Sequence, residues 1–247
     1  MDPGRGGNSA LGTQARQARG PVDDWRADGC LECRIVSQVA AAAPQRDKRQ
    51  PNRRGEGERL RAELLAAAME MIESQDLPLS LRGVARQVGI AATSVYLHFP
   101  DVDHLLGALV EVGFDRLTAA TNAAASAITD PAEELEVRCR TYCHFGLEHT
   151  RLYRVMFHAE LPLRVWRDPA QTPGRRSFEN LVAAVKRSID AGLAPQYDDP
   201  FRLASLIWAA MHGLILARVS RPSFPWAPVD GLVDEMVDRM MGFGGKR

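Results

Sequence analysis

"SLRGVARQVGIAATSVYLHFPD", residues 80–101, sets two short apolar-patterned segments on either side of a glycine and ends in Pro-Asp. Ser80 is placed to accept from the backbone at the start of the first segment, and Gly89 supplies the left-handed residue that ends it. A second short helix is expected over residues 91–98, broken by Pro100, with Asp101 capping the helix that follows. Helix, glycine turn, helix is helix-turn-helix spacing. Val84, Val88, Ile90, Val95 and Phe99 are the apolar positions that would lock the pair over an earlier helix.

The second helix opens at Ala91, itself a candidate DNA contact, and presents Ala92, Thr93, Ser94 and Leu97 outward, all small or uncharged. No acidic residue lies between Leu77 and Pro100, whereas Arg82 and Arg86 do. Such a surface can enter a major groove about 12 Å wide without bringing a carboxylate against phosphate. Phosphate contacts are expected from Arg82, the hydroxyls of Ser80 and Tyr96, and His98. Phe99 and Tyr96 are expected to brace the helix from behind, with the tyrosine hydroxyl left free. Glycine-linked helix pairs also occur in proteins that never meet DNA, so spacing alone leaves a plain structural role open.

Upstream, "ERLRAELLAAAMEMIES" (58–74) puts Leu60, Leu64, Ala68, Met71 and Ile72 on one helical face. Residues 1–55 lack sustained periodicity and hold ten basic against six acidic residues, although the chain is neutral overall. Seven basic residues, Arg53 and Arg54 among them, fall between Arg46 and Arg61. Such a run is by default a solvated, unstructured tail; it becomes a phosphate-binding arm when a reading module follows. Its composition equally fits an over-extended translation start.

Downstream the pattern stays helical. Asp130, Pro131 and Glu133 open one helix, "RLYRVMFHA" (151–159) continues on another, and residues 160–176 read as a loop. Ser177 and Gly192 bracket "FENLVAAVKRSIDA"; "DPFRLASLIWAAMHGLILARVS" (199–220) is apolar around most of its circumference; and "GLVDEMVDRMMGFGG" closes the chain. This predicts an all-α protein of about nine helices. The helices over 177–191 and 200–219 are the expected dimer interface, with the last helix as a replacement for one of them. No apolar run of the roughly 18–20 residues of a membrane span and no secretion signal is expected, which points to a cytoplasmic protein.

Tyr142, Phe145, Tyr153, Met156, Phe157, Trp208 and His212 recur at helical spacings that could line a cavity, although core packing accounts for each singly. Cys139/Cys143 and His144/Glu148 are i,i+4 pairs able to ligate a metal, but buried small side chains are the simpler reading, and Cys30/Cys33 lie in the unpatterned front. No nucleophile–base set, phosphate loop or dinucleotide fingerprint is legible, so neither an enzyme nor a cofactor is expected.

The string from Leu60 to Leu106 as a whole closely resembles the DNA-binding domain of TetR-family transcriptional regulators. "TYCHFGLEHTRLYRVMF" (141–157) with "WAAMHGL" (208–214) resembles the effector domain of a TetR subfamily marked by Trp-His-Gly, here Trp208 and His212-Gly213. Two departures stand out: Ala91 where the family often has serine, and Val102 where it often has lysine. The resemblance implies a basic extension over 1–55, a helix-turn-helix domain over 56–104 and a helical effector-binding and dimerisation domain over 105–247. It further implies a homodimer on a near-palindromic operator, acting as a repressor released by a small apolar effector. A regulator without an effector, an activator, or an interaction module that has lost DNA binding are the alternatives.

Overall fold

The structure is a computed structural model, and the residues it describes are 56–74, 79–158, 173–194 and 198–242. Among them are nine helices and no strand: α1 Gly57–Ser74, α2 Leu81–Val88, α3 Ala92–Tyr96, α4 Val102–Ala125, α5 Pro131–Glu148, α6 Thr150–His158, α7 Arg175–Asp190, α8 Pro200–Ser220 and α9 Val229–Met241. The candidates Arg53, Arg54, Cys30 and Cys33 lie outside the described residues.

Helices α1–α3 form the head. Ser80 Oγ accepts from the Gly83 amide at 3.1 Å, satisfying one of the first-turn donors of α2. Gly89, at φ +77°, donates to the Ala85 and Arg86 carbonyls and turns the chain; any side chain there would be strained by its backbone conformation rather than by a neighbour. Val84, Val95 and Phe99 are buried against Leu60, Leu64 and Leu105, with Val88 and Ile90 at the margin. Helix α3 is shorter than the 91–98 expected, because the chain turns once it has passed Tyr96. Phe99 braces it, and the Arg61 guanidinium lies 5.1 Å from the Phe99 ring centroid. Arg61 thus belongs to a packed helix rather than to an arm. Tyr96 is 48% exposed and projects outward, so the expected bracing role falls to Phe99.

Helices α4–α9 form the body, three of them started by aspartate caps. Asp101 accepts from the His104 amide, Asp130 from Glu133, and Asp199 from Phe201 and Arg202. Helix α7 begins two residues before the expected cap Ser177. Gly174, at φ +82°, stands at its start, where a Cβ would come within 2.5 Å of the Phe114 ring.

Leu203, Ala204, Ile207, Met211 and Ile215 bury one side of α8. Contrary to expectation, α8 is long and apolar enough, by length and composition, to cross a membrane. The reason is that its arginines, Arg202 and Arg218, stand at the two ends, leaving an apolar middle. Leu206, Ala209 and Gly213 on this helix remain exposed. Cys139 and Cys143 are buried in α5; burial pushes both thiols up, Cys143 to about 12, so neither is a nucleophile at neutral pH. His144 bonds Asp230 at 2.6 Å, tying α5 to α9.

Candidate nucleic-acid interface and interior cavity

The outer surface of the head follows from the spacing of its core residues. With Val95 and Phe99 turned inward, Ala91, Thr93, Tyr96 and Leu97 are exposed, while Ala92, Ser94 and His98 are half-buried. Leu97 stands out at 85% exposure. Arg82 and Arg86 are exposed on neighbouring α2. Ser80 Oγ uses a lone pair to cap α2, and its hydroxyl proton remains available to a phosphate oxygen. Ala91, at the N-cap of α3, provides no side-chain cap. At the rim, Asp101 is half-buried and lies 2.7 Å from His104 Nδ1. The arrangement is a small, uncharged helical surface beside two free-standing guanidinium groups. It can lie against base edges while cations meet phosphate.

Within the body, helices α4 to α8 line a partly open cavity of about 430 Å³, inside the range of about 300–1,000 Å³ usual for small-molecule sites. Phe114 from α4, Tyr142 from α5, Phe157 from α6, Phe178 from α7 and Trp208 from α8 line it. The rings pack edge to face or tilted: Phe114–Phe157 centroids are 5.2 Å apart and Phe178–Trp208 centroids 6.2 Å. One turn along from this group, Thr121 and Arg138 face the same space, and the Arg138 guanidinium reaches the Thr121 carbonyl and, at 2.9 Å, Asn122 Oδ1.

Behind the aromatic wall runs a chain of hydrogen bonds. Trp208 Nε1 donates to Tyr142 Oη at 3.1 Å, the Tyr142 and Tyr153 hydroxyls are 2.8 Å apart, and Tyr153 Oη lies 2.6 Å from His212 Nδ1. An indole N–H can only donate, so full satisfaction fixes the direction: Trp208 to Tyr142 to Tyr153 to a His212 that carries its proton on Nε2. Burial pushes both phenols up, keeping them protonated as the chain requires.

Of the expected ligand residues, Tyr142, Phe157 and Trp208 line the cavity. Phe145 does not; it is buried beside His149, 4.9 Å between rings. His212 stands one layer back, stacked on Trp208 at 5.5 Å. The Trp-His pair read from the sequence is therefore the hinge between cavity wall and buried hydrogen-bond chain. Phe114, Phe178 and Arg138 escaped the sequence reading. The only local signal was Arg138 one turn ahead of Tyr142.

Head and body meet at Glu73, near the end of α1. Its carboxylate lies 3.6 Å from Arg116 of α4 and 3.3 Å from His149 ahead of α6, and its carbonyl accepts from Arg151 at 2.8 Å.

Residues 64–109 match bacterial regulatory proteins of the tetR family, and residues 135–242 match the tetracyclin-repressor-like C-terminal domain. A protein with unknown function from Rhodococcus sp. RHA1 aligns over 78% of this chain and 98% of its own, with 30% identity and a TM-score of 0.66. PfmR, a TetR family transcriptional regulator from Thermus thermophilus, shares the fold at a TM-score of 0.55 with 20% identity over 75% of this chain and 99% of its own. The nucleoid occlusion factor SlmA of Edwardsiella ictaluri (strain 93-146) is 27% identical over 176 residues, 68% of this chain and 86% of that one. A head and a body that each match the corresponding half of one architecture, joined through α4, place this chain in the TetR family of DNA-binding transcriptional regulators.

Proposed function

We propose that residues 56–104 read a near-palindromic operator, that the chain acts as a homodimer, and that a small, largely apolar effector entering the cavity releases the DNA, making the protein a repressor. One observation carries this reading: α4 begins at Val102, directly after the reading surface, and its own Phe114, Leu117 and Thr121 line the cavity. A 24-residue helix spans about 36 Å as a rigid rod, so what pushes one end tilts the other. The Glu73 contacts tie the head to α4 and α6 as well, and α6 carries Phe157 of the cavity wall. An effector shifts the balance only by its differential affinity for the two settings of these helices.

For the dimer, α8 and α9 are the favoured faces. Leu206 and Gly213 are exposed on α8, and Leu232, Met236 and Met240 are only half covered on α9. The outer face of α7 instead carries Lys186, Arg187 and Asp190, paired within the chain. This is the alternative pairing, in which the last helix replaces the one over 177–191.

Ligand-coupled release is the test. Lipophilic compounds that raise the melting temperature of the full chain should lower its affinity for an operator duplex, in proportion. Compounds that stabilise the protein and leave operator affinity unchanged would refute the effector role.

A further inference from the structure

The polar end of the cavity is built around an excess positive charge. Both oxygens of Glu134 are taken by Arg187, whose Nε and Nη2 donate at 2.8 and 2.6 Å, and Arg138 Nε adds a third bond at 2.9 Å. Burial alone would push the Glu134 carboxyl up, but the hydrogen bonds from Arg187 and Arg138 outweigh it and hold it below the usual carboxylate range. The carboxylate therefore stays ionised at neutral pH, and two guanidinium groups share one negative charge. Arg138 Nη1 goes to Asn122 Oδ1 and the Thr121 carbonyl. Its Nη2 has no partner among the described residues, while its side chain is only 14% exposed and lines the cavity. Asn180, whose amide nitrogen lies 3.4 Å from Asn122 Oδ1, lines the same end.

Among the described residues that line the cavity there are two arginines and no aspartate or glutamate. The second, Arg175, is paired to Glu179 at 2.7 Å and largely exposed, whereas Arg138 is largely buried and shares Glu134 with Arg187, so Arg138 is the cation that water screens least. A guanidinium held against an apolar space is stabilised chiefly by an anion, and with Nε and Nη1 engaged, Nη2 remains to meet one carboxylate oxygen. Apart from Arg175 and the polar groups of Thr121, Ser177, Asn180 and Ser205, the remaining wall is ring and aliphatic surface.

Building on the reading of this cavity as the effector site, we propose that its ligand class is a monoanionic amphipath. A single carboxylate is held by Arg138 Nη2 and Asn180, and an apolar body lies among Phe114, Phe157, Phe178 and Trp208. Arg138 is then the specificity-determining residue, because an uncharged analogue of the same body leaves its charge unmatched.

The experiment uses matched probes on the full chain: dodecanoate against 1-dodecanol, and 1-naphthylacetate against 2-(1-naphthyl)ethanol, read by calorimetry. In each pair the acid should bind roughly tenfold or more tightly. Arg138→Gln should bring the affinities of acid and alcohol within about twofold of each other. Because Arg138 also supports α4 and α5, Asn180→Asp is the second variant; a carboxylate there should weaken the acids alone. Alcohols binding as well as acids in the unsubstituted protein would overturn the anion assignment and leave the effector cavity standing. Heat from neither member of either pair would overturn both.

Discussion

Replacing Tyr153 by phenylalanine deletes one oxygen from the middle of the buried chain and leaves every ring contact in place. Tyr153 is 1% and Tyr142 7% exposed, so water does not readily replace what is lost. The Tyr142 hydroxyl proton loses its acceptor, which costs about 1–3 kcal/mol for a buried unsatisfied group, and the His212 bond forfeits about 1 kcal/mol more. The expected destabilisation is therefore about 2–4 kcal/mol, or roughly 4–16 °C in melting temperature for a chain of this size. Tyr142→Phe should cost less, about 1–2 kcal/mol, since Tyr153 keeps its bond to His212 and only the half-buried Trp208 N–H is stranded. The double substitution also removes the hydroxyl that the Tyr153 change had orphaned. It should cost little more than Tyr153→Phe alone, with a coupling of about 1 kcal/mol or more. Urea unfolding of the four proteins at one fixed concentration measures the cycle. Additivity within about 0.5 kcal/mol, or Tyr142→Phe proving the costlier change, would refute the directional chain.

Ala91→Ser should add the missing cap to α3, stabilising the protein by about 0.5–1 kcal/mol and tightening DNA binding; unchanged melting and affinity would count against the cap argument. Thr93→Ala should alter base preference at one operator position by about 1–3 kcal/mol, whereas Tyr96→Phe should weaken all sequences alike by about 1 kcal/mol, both read by binding titrations on operator variants. Glu134 has a folded-state pKa below its ordinary 4.5, so the folded chain binds fewer protons than the unfolded one. Its contribution is complete above that value and lost as pH falls through the lowered one. Glu134→Gln should flatten the acid limb of stability below about pH 5, measured by denaturant unfolding across pH; an unchanged limb would place the acid sensitivity elsewhere.

The parts of this molecule governed by near neighbours in the chain were legible in its sequence. Ser80, Asp101 and Asp130 each cap an amide three residues ahead, and Gly89 satisfies a local backbone demand. The uncharged surface of α3 was equally readable, because the residues that face inward fix those that face out. Where partners are remote, reading failed. Gly174, at the start of α7, lies against Phe114, 60 residues upstream, a contact without local signal. The cavity's charge is set by Arg187 meeting Glu134 across 53 residues, a pairing without any local spacing signal. The apolar surroundings of His212 suggest a ligand contact, but in the fold it stacks on Trp208 and bonds the Tyr153 hydroxyl, outside the cavity lining.

The central claim is that the exposed face of α3, flanked by Arg82 and Arg86, lies against the base edges of duplex DNA. Selection of bound duplexes from a random-sequence pool by the purified full chain, at fixed near-physiological salt, tests it most directly. The account predicts enrichment of one near-palindromic sequence whose half-site centres lie about 34 Å apart or a multiple of that. Retention of all sequences alike, at that salt and at low ionic strength, would contradict it.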